Sequence, residues 1–317
     1  MAVYTKLADD VVASFLTQYA IGPLTALQGI SDGIENTNYL LKTVSDEFVL
    51  TLFEHHNADE VASFVRLARH LGQAGLAVPM PLDDIQGVWL HELSGKPAIL
   101  CRRLPGTHTD QLTSEHCAEI GRGLAQLHLA AQDLPQRRVD ERGFDWWLAI
   151  APELKANLSP ADQALLEAEL QAQKDGRTLW CQLPHGWIHA DLFHDNALFL
   201  ISEQGTKLTA ILDLYNACDG ALAYDLAIVA NDWCREKNGI WDKARLTSLL
   251  VSYESVRPFT TEEKMAWPLL LRGAALRFWL SRLLAQRLAT QQGRTLPADK
   301  NPDEYRRKLQ QQQQQQQ

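Results

Sequence analysis

A chain of 317 residues is longer than one compact core usually needs, and its 46% hydrophobic and 22% charged residues suit a globular protein with a buried interior. Its 30 Lys and Arg against 39 Asp and Glu give a formal charge of -9, which repels a phosphate backbone and argues against a nucleic-acid partner. No apolar run is long enough to span a bilayer, no signal-peptide pattern opens the chain, and Cys101, Cys117, Cys181, Cys218 and Cys234 lack metal-site spacing; reduced thiols in the cytoplasm, away from membranes, are expected.

Val11, Val12, Phe15, Leu16 and Tyr19 recur at helical spacing, so the chain is predicted to open with an amphipathic helix that stops at Gly22-Pro23. Three β-prone runs follow, over Leu24 to Ile30, Asn38 to Val44 and Glu47 to Phe53, broken at Ser31-Asp32-Gly33 and Ser45-Asp46. A helix carrying Val61, Phe64, Val65, Leu67, Ala68 and Leu71 comes next. Two further strands, Val88 to Glu92 and Ala98 to Arg103, complete an antiparallel lobe over residues 1–103, with a hinge at Leu104-Pro105-Gly106.

Residues 104–309 read as mainly helical, with amphipathic stretches around Ile120 to Leu127 and near 145–175, 221–235, 242–256 and 265–289. One β-hairpin interrupts them: Ala197 to Ile201 and Leu208 to Leu212 flank the turn Glu203-Gln204-Gly205-Thr206. Gln310 to Gln317 form a glutamine tract, expected to stay disordered because it has no apolar surface to bury. The fold class is thus α+β and bilobal, a sheet lobe followed by a helical lobe.

His189-Ala190-Asp191-Leu192-Phe193-His194-Asp195-Asn196 sets Asp191 and Asn196 five residues apart, as in a kinase catalytic loop. A hairpin after Asn196 returns the chain to its starting end and so carries Asp213 back beside it. Phosphoryl transfer from ATP needs an oriented acceptor hydroxyl, a proton acceptor and cations on the transferring oxygens. Asp191 suits the proton acceptor; Asn196 and Asp213 offer hard oxygen ligands to Mg2+. His189 is placed in the catalytic loop as a brace. Asp225, opening the next helix in Tyr224-Asp225-Leu226-Ala227, serves either as a helix-start acid or as support behind that loop. His128, on an apolar helix face, reads as a packed core residue. Loop acids and amides also cap helices and form turns, and His189, Asp191, His194 and Asp195 could alternatively be ligands of a metallohydrolase.

With these residues the chain resembles the aminoglycoside phosphotransferase and choline kinase superfamily, of protein-kinase-like fold. Within it, Gly33-Ile34-Glu35-Asn36-Thr37-Asn38-Tyr39, Phe48 to Glu54, Ile188 to Phe193, Ile211 to Cys218, Ser255-Val256-Arg257-Pro258 and Arg272 to Phe278 resemble the homoserine kinase branch. The resemblance implies that L-homoserine and ATP become O-phospho-L-homoserine and ADP, a step toward threonine. It further implies a nucleotide segment from Ser31, Asp32 and Gly33 through Asn36 to Asn38, with Thr51 where the wider family carries a phosphate-binding lysine, and with Arg103 near the hinge. Lys42 on the neighbouring strand could supply the missing charge, or it is simply a surface lysine. Tyr215, Arg272 and Arg277 are the residues assigned to the substrate; the two arginines lie five apart on a helix, so only one can face a pocket directly. A kinase for another small alcohol, such as an aminoglycoside, choline or a sugar, and a non-catalytic nucleotide-binding module remain as alternatives.

Overall fold

The computed structural model describes residues 3–30, 36–135, 137–236, 238–297 and 300–315. The chain divides into two compact units: Met1–Thr107 with Ala197–Ile201 and Leu208–Tyr215, and His108–Asn196 with Ser202–Lys207 and Asn216–Gln317.

Antiparallel pairing dominates the first unit. Strands β1 (Leu24–Ile30), β2 (Thr37–Thr43), β3 (Glu47–Leu52), β4 (His91–Leu93) and β5 (Lys96–Arg102) form a sheet of order β1-β2-β3-β5-β4. Side chains alternate across it, as the pleat demands. Leu41, Phe48, Leu50, Leu52 and Leu100 pack with Val12, Phe15 and Leu16, the latter three from helix α1 (Asp9–Leu16). Phe53, Ile99 and Cys101 pack with Val61, Phe64 and Val65 of helix α2 (Ala58–Gln73). Each of the large apolar side chains so buried stabilises the unit by about 1.5–3 kcal/mol relative to exposure. Helix α2 starts at a capping box in which Asn57 Oδ1 accepts from Glu60 N–H at 3.0 Å and Glu60 Oε2 accepts from Asn57 N–H at 2.8 Å.

Strand β4 departs from the expected Val88 to Glu92. Asp84 Oδ1 accepts from the N–H groups of Gln86 and Val88, both at 2.8 Å, and Gly87 takes a φ of 82°. That side-chain-closed turn holds residues 84–88 out of the sheet, and pairing begins only at His91.

The second unit is mainly helical: α3 (Ser114–Ala130), α4 (Phe144–Lys155), α5 (Pro160–Asp175), α6 (Arg177–Trp180), α7 (Leu222–Trp233), α8 (Lys243–Glu254), α9 (Thr261–Gln291) and α10 (Pro302–Gln314). The expected stretch 145–175 is two helices, because Ser159 caps a new start and Pro160 occupies the first turn of α5. Eleven of the 12 residues of α7 are buried, which makes it the axis of this unit's core. Helices α3 and α8 approach closely at Gly121, where a Cβ would meet the Leu249 carbonyl oxygen at 2.5 Å.

A short antiparallel pair, β6 (His185–Ile188) with β9 (Cys218–Ala221), ends at the segment 189–196. Between them run a 3-10 turn (His194–Asn196), the hairpin strands β7 (Ala197–Ser202) and β8 (Gly205–Ile211), which pair with each other, and a second 3-10 turn (Leu214–Asn216).

Gln310 to Gln315 do not match the disorder expected of the glutamine tract, whose last two residues, Gln316 and Gln317, lie outside the described residues. Residues through Gln314 continue α10, with Leu309 and Gln312 buried. Their amides find partners: Gln311 with Arg235 at 3.3 Å, Gln312 with Asn231 at 2.8 Å and Gln313 with Glu169 at 2.8 Å. A polar tract with no apolar surface of its own is ordered because Glu169 on α5, Asn231 on α7 and Arg235 after α7 offer it hydrogen bonds.

Candidate active site

The segment 189–196 leaves β6 and is fixed residue by residue from α7 and α9. Asp225, fully buried in the first turn of α7, accepts from His189 N–H at Oδ2 (2.7 Å) and from Ala190 N–H at Oδ1 (2.8 Å). Ala190 adopts a φ of 65°, a left-handed conformation that costs a non-glycine residue about 1–3 kcal/mol. Its peptide is held on both sides, since its carbonyl accepts from Nη1 of Arg277 on α9. Trp233 Nε1 donates to the Leu192 carbonyl at 3.0 Å, and Asp232 Oδ2 accepts from His194 N–H at 2.8 Å.

These restraints aim Asp191. Asn196 Nδ2 donates to the Asp191 carbonyl at 2.8 Å, closing the loop on itself, and Asn216 Nδ2 reaches Asp191 Oδ2 at 3.4 Å. Asp191 N–H points at His189 Nδ1, 3.3 Å away, so His189 sits inside the loop as a brace. Burial raises the Asp191 carboxyl above its ordinary pKa, while Arg277 and His189 pull it back. A half-buried carboxylate with a raised pKa, gripped through its backbone, is suited to accept a proton from a hydroxyl.

Behind the loop lies a buried polar chain. Asp225 Oδ2 also meets His128 Nε2 at 3.0 Å, and His128 Nδ1 meets Tyr253 Oη at 2.7 Å. Arg257 donates to Tyr253 Oη at 3.2 Å and to Glu263 Oε1 at 2.8 Å, and Glu263 closes the capping box of α9. His128 is thus buried, as its helix face suggested, but as a polar link. Burial holds its imidazole below the usual pKa against the pull of Asp225. Asp225 carries the supporting role: burial opposes its charge, and hydrogen bonds from His128 and the loop keep its pKa below the ordinary range.

His194 extends the loop's restraint outward, its Nδ1 lying 2.8 Å from Asp232 Oδ2. That hydrogen bond, against the opposing effect of burial, lifts the imidazole to a pKa of about 9. Asp225 and Asp232 are seven residues apart on α7, two turns along one face, a spacing that could have revealed the second anchor. Asn216, three residues after Asp213, carried no such signal.

The two arginines assigned to the substrate separate as their spacing required. Arg277 is 4% exposed and committed to Ala190; Arg272 lies 3.5 Å from Glu169 Oε1 on α5, its side chain 15% exposed. Tyr215 belongs to the first unit, edge-on to Phe53 at 5.0 Å and to Phe64 at 5.8 Å. Asp213, also in the first unit, takes a φ of 60°.

Among the nucleotide residues, Thr51 Oγ1 donates to Asn38 Oδ1 at 2.7 Å across β2 and β3. Asn36 is buried, and its Oδ1 has no partner among the described residues. Arg103 pairs with Glu47, and Lys42 reaches the same carboxylate at 2.7 Å, so that lysine is spent on the strand edge. Ser31, Asp32 and Gly33 lie outside the described residues. No helix of the described residues is long and apolar enough to cross a membrane, and all five cysteines are free thiols.

Residues 26–259 match the model of the phosphotransferase enzyme family. The chain is 43% identical to a homoserine kinase of Xanthobacter autotrophicus, covering 98% of this chain and 95% of that protein. It is 42% identical to a homoserine kinase of Neisseria meningitidis, covering 90% and 91%. An amicoumacin kinase solved in complex with AMP-PNP, Ca2+ and Ami shares the fold with a TM-score of 0.69 at 14% identity, over 95% of this chain and 92% of that one.

Proposed function

Because the chain belongs to the phosphotransferase enzyme family, we infer that it moves the γ-phosphoryl group of ATP to the hydroxyl of L-homoserine, giving O-phospho-L-homoserine and ADP. The observation that carries the chemistry is the grip on Ala190 from both sides, which holds the proton-accepting Asp191 in a strained loop. The acceptor comes from the homoserine kinases matched over nearly the full chain.

Asp191 orients the homoserine hydroxyl and takes its proton as the oxygen attacks the γ-phosphorus. Asn216 donates to the far carboxylate oxygen and limits its rotation. Arg277 and Asp225 hold the loop; neither needs to touch substrate. Arg272, not tied to the loop, is the better partner for the homoserine carboxylate, and Tyr215 flanks the acceptor in the same reading.

Asn196 and Asp213 are the proposed Mg2+ ligands. The amide nitrogen of Asn196 is used on Asp191, which leaves its oxygen for a hard cation. Among the described residues no three His, Cys, Asp or Glu gather into a cage; a two-residue set that leaves other positions to phosphate and water oxygens is the way Mg2+ is usually held. Bound there, the ion would neutralise charge on the phosphate oxygens. Residues Ser31 to Asn38, with Thr51 and Arg103, are the proposed nucleotide contacts, and the cytoplasm the proposed location.

A coupled assay of ADP release tests the acceptor. L-homoserine should support turnover with kcat/KM at least about 10²-fold above choline, kanamycin or ribose, since a site built for a zwitterion leaves polar groups unpaired with the others. Equal or better turnover of one of those alcohols would move the chain to another acceptor.

A further inference from the structure

The segment Ser255-Val256-Arg257-Pro258 lies far from Asp191 in the sequence and takes no part in the proposed proton transfer. Its arginine is nonetheless buried, at the junction of α8 and α9. Arg257 Nη2 donates to Glu263 Oε1 at 2.8 Å, and its Nη1 donates to Tyr253 Oη at 3.2 Å. From Tyr253 on α8 the contacts pass to His128 on α3 and then to Asp225 on α7, whose carboxylate accepts from the His189 and Ala190 N–H groups.

Donor and acceptor chemistry leaves one arrangement of hydrogens along this chain with a neutral imidazole. An ionised carboxylate only accepts, so His128 Nε2 carries the hydrogen that meets Asp225 Oδ2. A guanidinium only donates, so Tyr253 Oη accepts from Arg257 and spends its own hydrogen on His128 Nδ1. The ring is thereby fixed in one tautomer and held at both nitrogens. It faces Asp225 from α7, Tyr253 from α8, and Arg257 and Glu263 from the α8–α9 junction; burial, with help from Arg257, keeps it neutral against the two acids. Without the hydroxyl of Tyr253 the ring could swing about its single remaining bond, and Asp225 would swing with it. The left-handed Ala190 peptide, at a φ of 65°, would then be held less firmly on its N–H side.

We propose that Arg257 and Tyr253 are positioning residues for Asp191, acting through His128 to keep the Asp225 carboxylate turned onto the 189–190 backbone. The proposal rests on the reading of Asp191 as the base. It gives the buried Arg257 a role in turnover without any contact with substrate.

Tyr253→Phe tests it, because that change removes the hydroxyl and leaves the Arg257–Glu263 pair in place. With ATP and L-homoserine, kcat should fall about 10-fold or more while both KM values stay within about twofold, as expected of a group that aims the base and does not bind substrate. Hydrogen exchange at the His189 and Ala190 amides, followed by mass spectrometry, should accelerate about tenfold, with the amides of α10 and of the β1–β5 sheet unchanged. Arg257→Met combined with Glu263→Gln leaves no unmatched buried charge and keeps the α9 capping pattern, and it should reproduce both effects. Adding Tyr253→Phe to that pair should lower kcat little further, since all three changes act along one chain. Unchanged kcat or unchanged exchange at 189–190 in Tyr253→Phe, faster exchange throughout the second unit, or kcat losses that multiply in the combined variant would each overturn the proposal. Tyr253→Phe decides it if the charge-pair variant does not fold. A wild type that fails to turn over L-homoserine would count against the acceptor reading instead, and amide exchange would then decide the relay by itself.

Discussion

His194 sits in the turn between Asp191 and Asn196 and is raised to a pKa of about 9 by its bond to Asp232, with burial opposing and Asp195 and Asp110 adding to the rise. A histidine whose folded pKa exceeds its unfolded value contributes stability that is complete below the ordinary imidazole pKa. That contribution fades as pH climbs toward the folded value. Urea midpoints of the wild type and His194→Gln should therefore differ most near pH 6 and converge as pH rises from 6.5 toward 9. A constant gap across that range would remove the charged pair from the loop's support.

Among elements, α9 bears on the 189–196 loop through Arg277 and through Phe278, edge-on to Phe193 at 4.7 Å. Arg277 both braces the left-handed Ala190 peptide and pulls down the pKa that burial raises at Asp191. A base acts when deprotonated, so kcat/KM should fall as pH drops through the Asp191 pKa. Arg277→Met takes away the opposing cation, and the acidic limb should move to higher pH, with kcat lowered as the loop loosens; Arg277→Lys should restore much of the limb's position. A lowered kcat with an unmoved limb would leave Arg277 a packing role only.

The elements also show what the sequence could and could not reveal. Strands β1 to β3 were legible because their alternation marks two apolar faces and their turns carry polar breaks. Strand β4 was not, because Asp84 closes its turn through a side chain, which periodicity does not register. The 189–196 loop was legible as a motif, since its chemistry fixes residue types at fixed spacing. The role of Arg277 was not, for its partner is a backbone carbonyl 87 residues away and any buried arginine on that helix would have read alike. Tyr253, Arg257 and Glu263 likewise take their meaning only from packing.

At the scale of the whole molecule, the C-terminal glutamines are part of the folded second unit. Gln311, Gln312 and Gln313 bond to Arg235, Asn231 and Glu169, tying α10 to α5, α7 and the loop after α7. Each such bond is worth about 1 kcal/mol, and 1 kcal/mol shifts Tm by about 2–4 °C in a chain approaching this size. A chain ending at Gln310 should melt about 5 °C or more below the full chain, and an unchanged Tm would mean that these contacts contribute nothing.

The proposed function rests centrally on Asp191 removing the proton from the homoserine hydroxyl. The most direct test compares ADP release from ATP and L-homoserine by the wild type and by Asp191→Ala, with nucleotide affinity followed separately. The variant should bind ATP nearly as well and turn over about 10² to 10⁴-fold more slowly. Turnover within a few-fold of the wild type would contradict the assignment of Asp191 as the base.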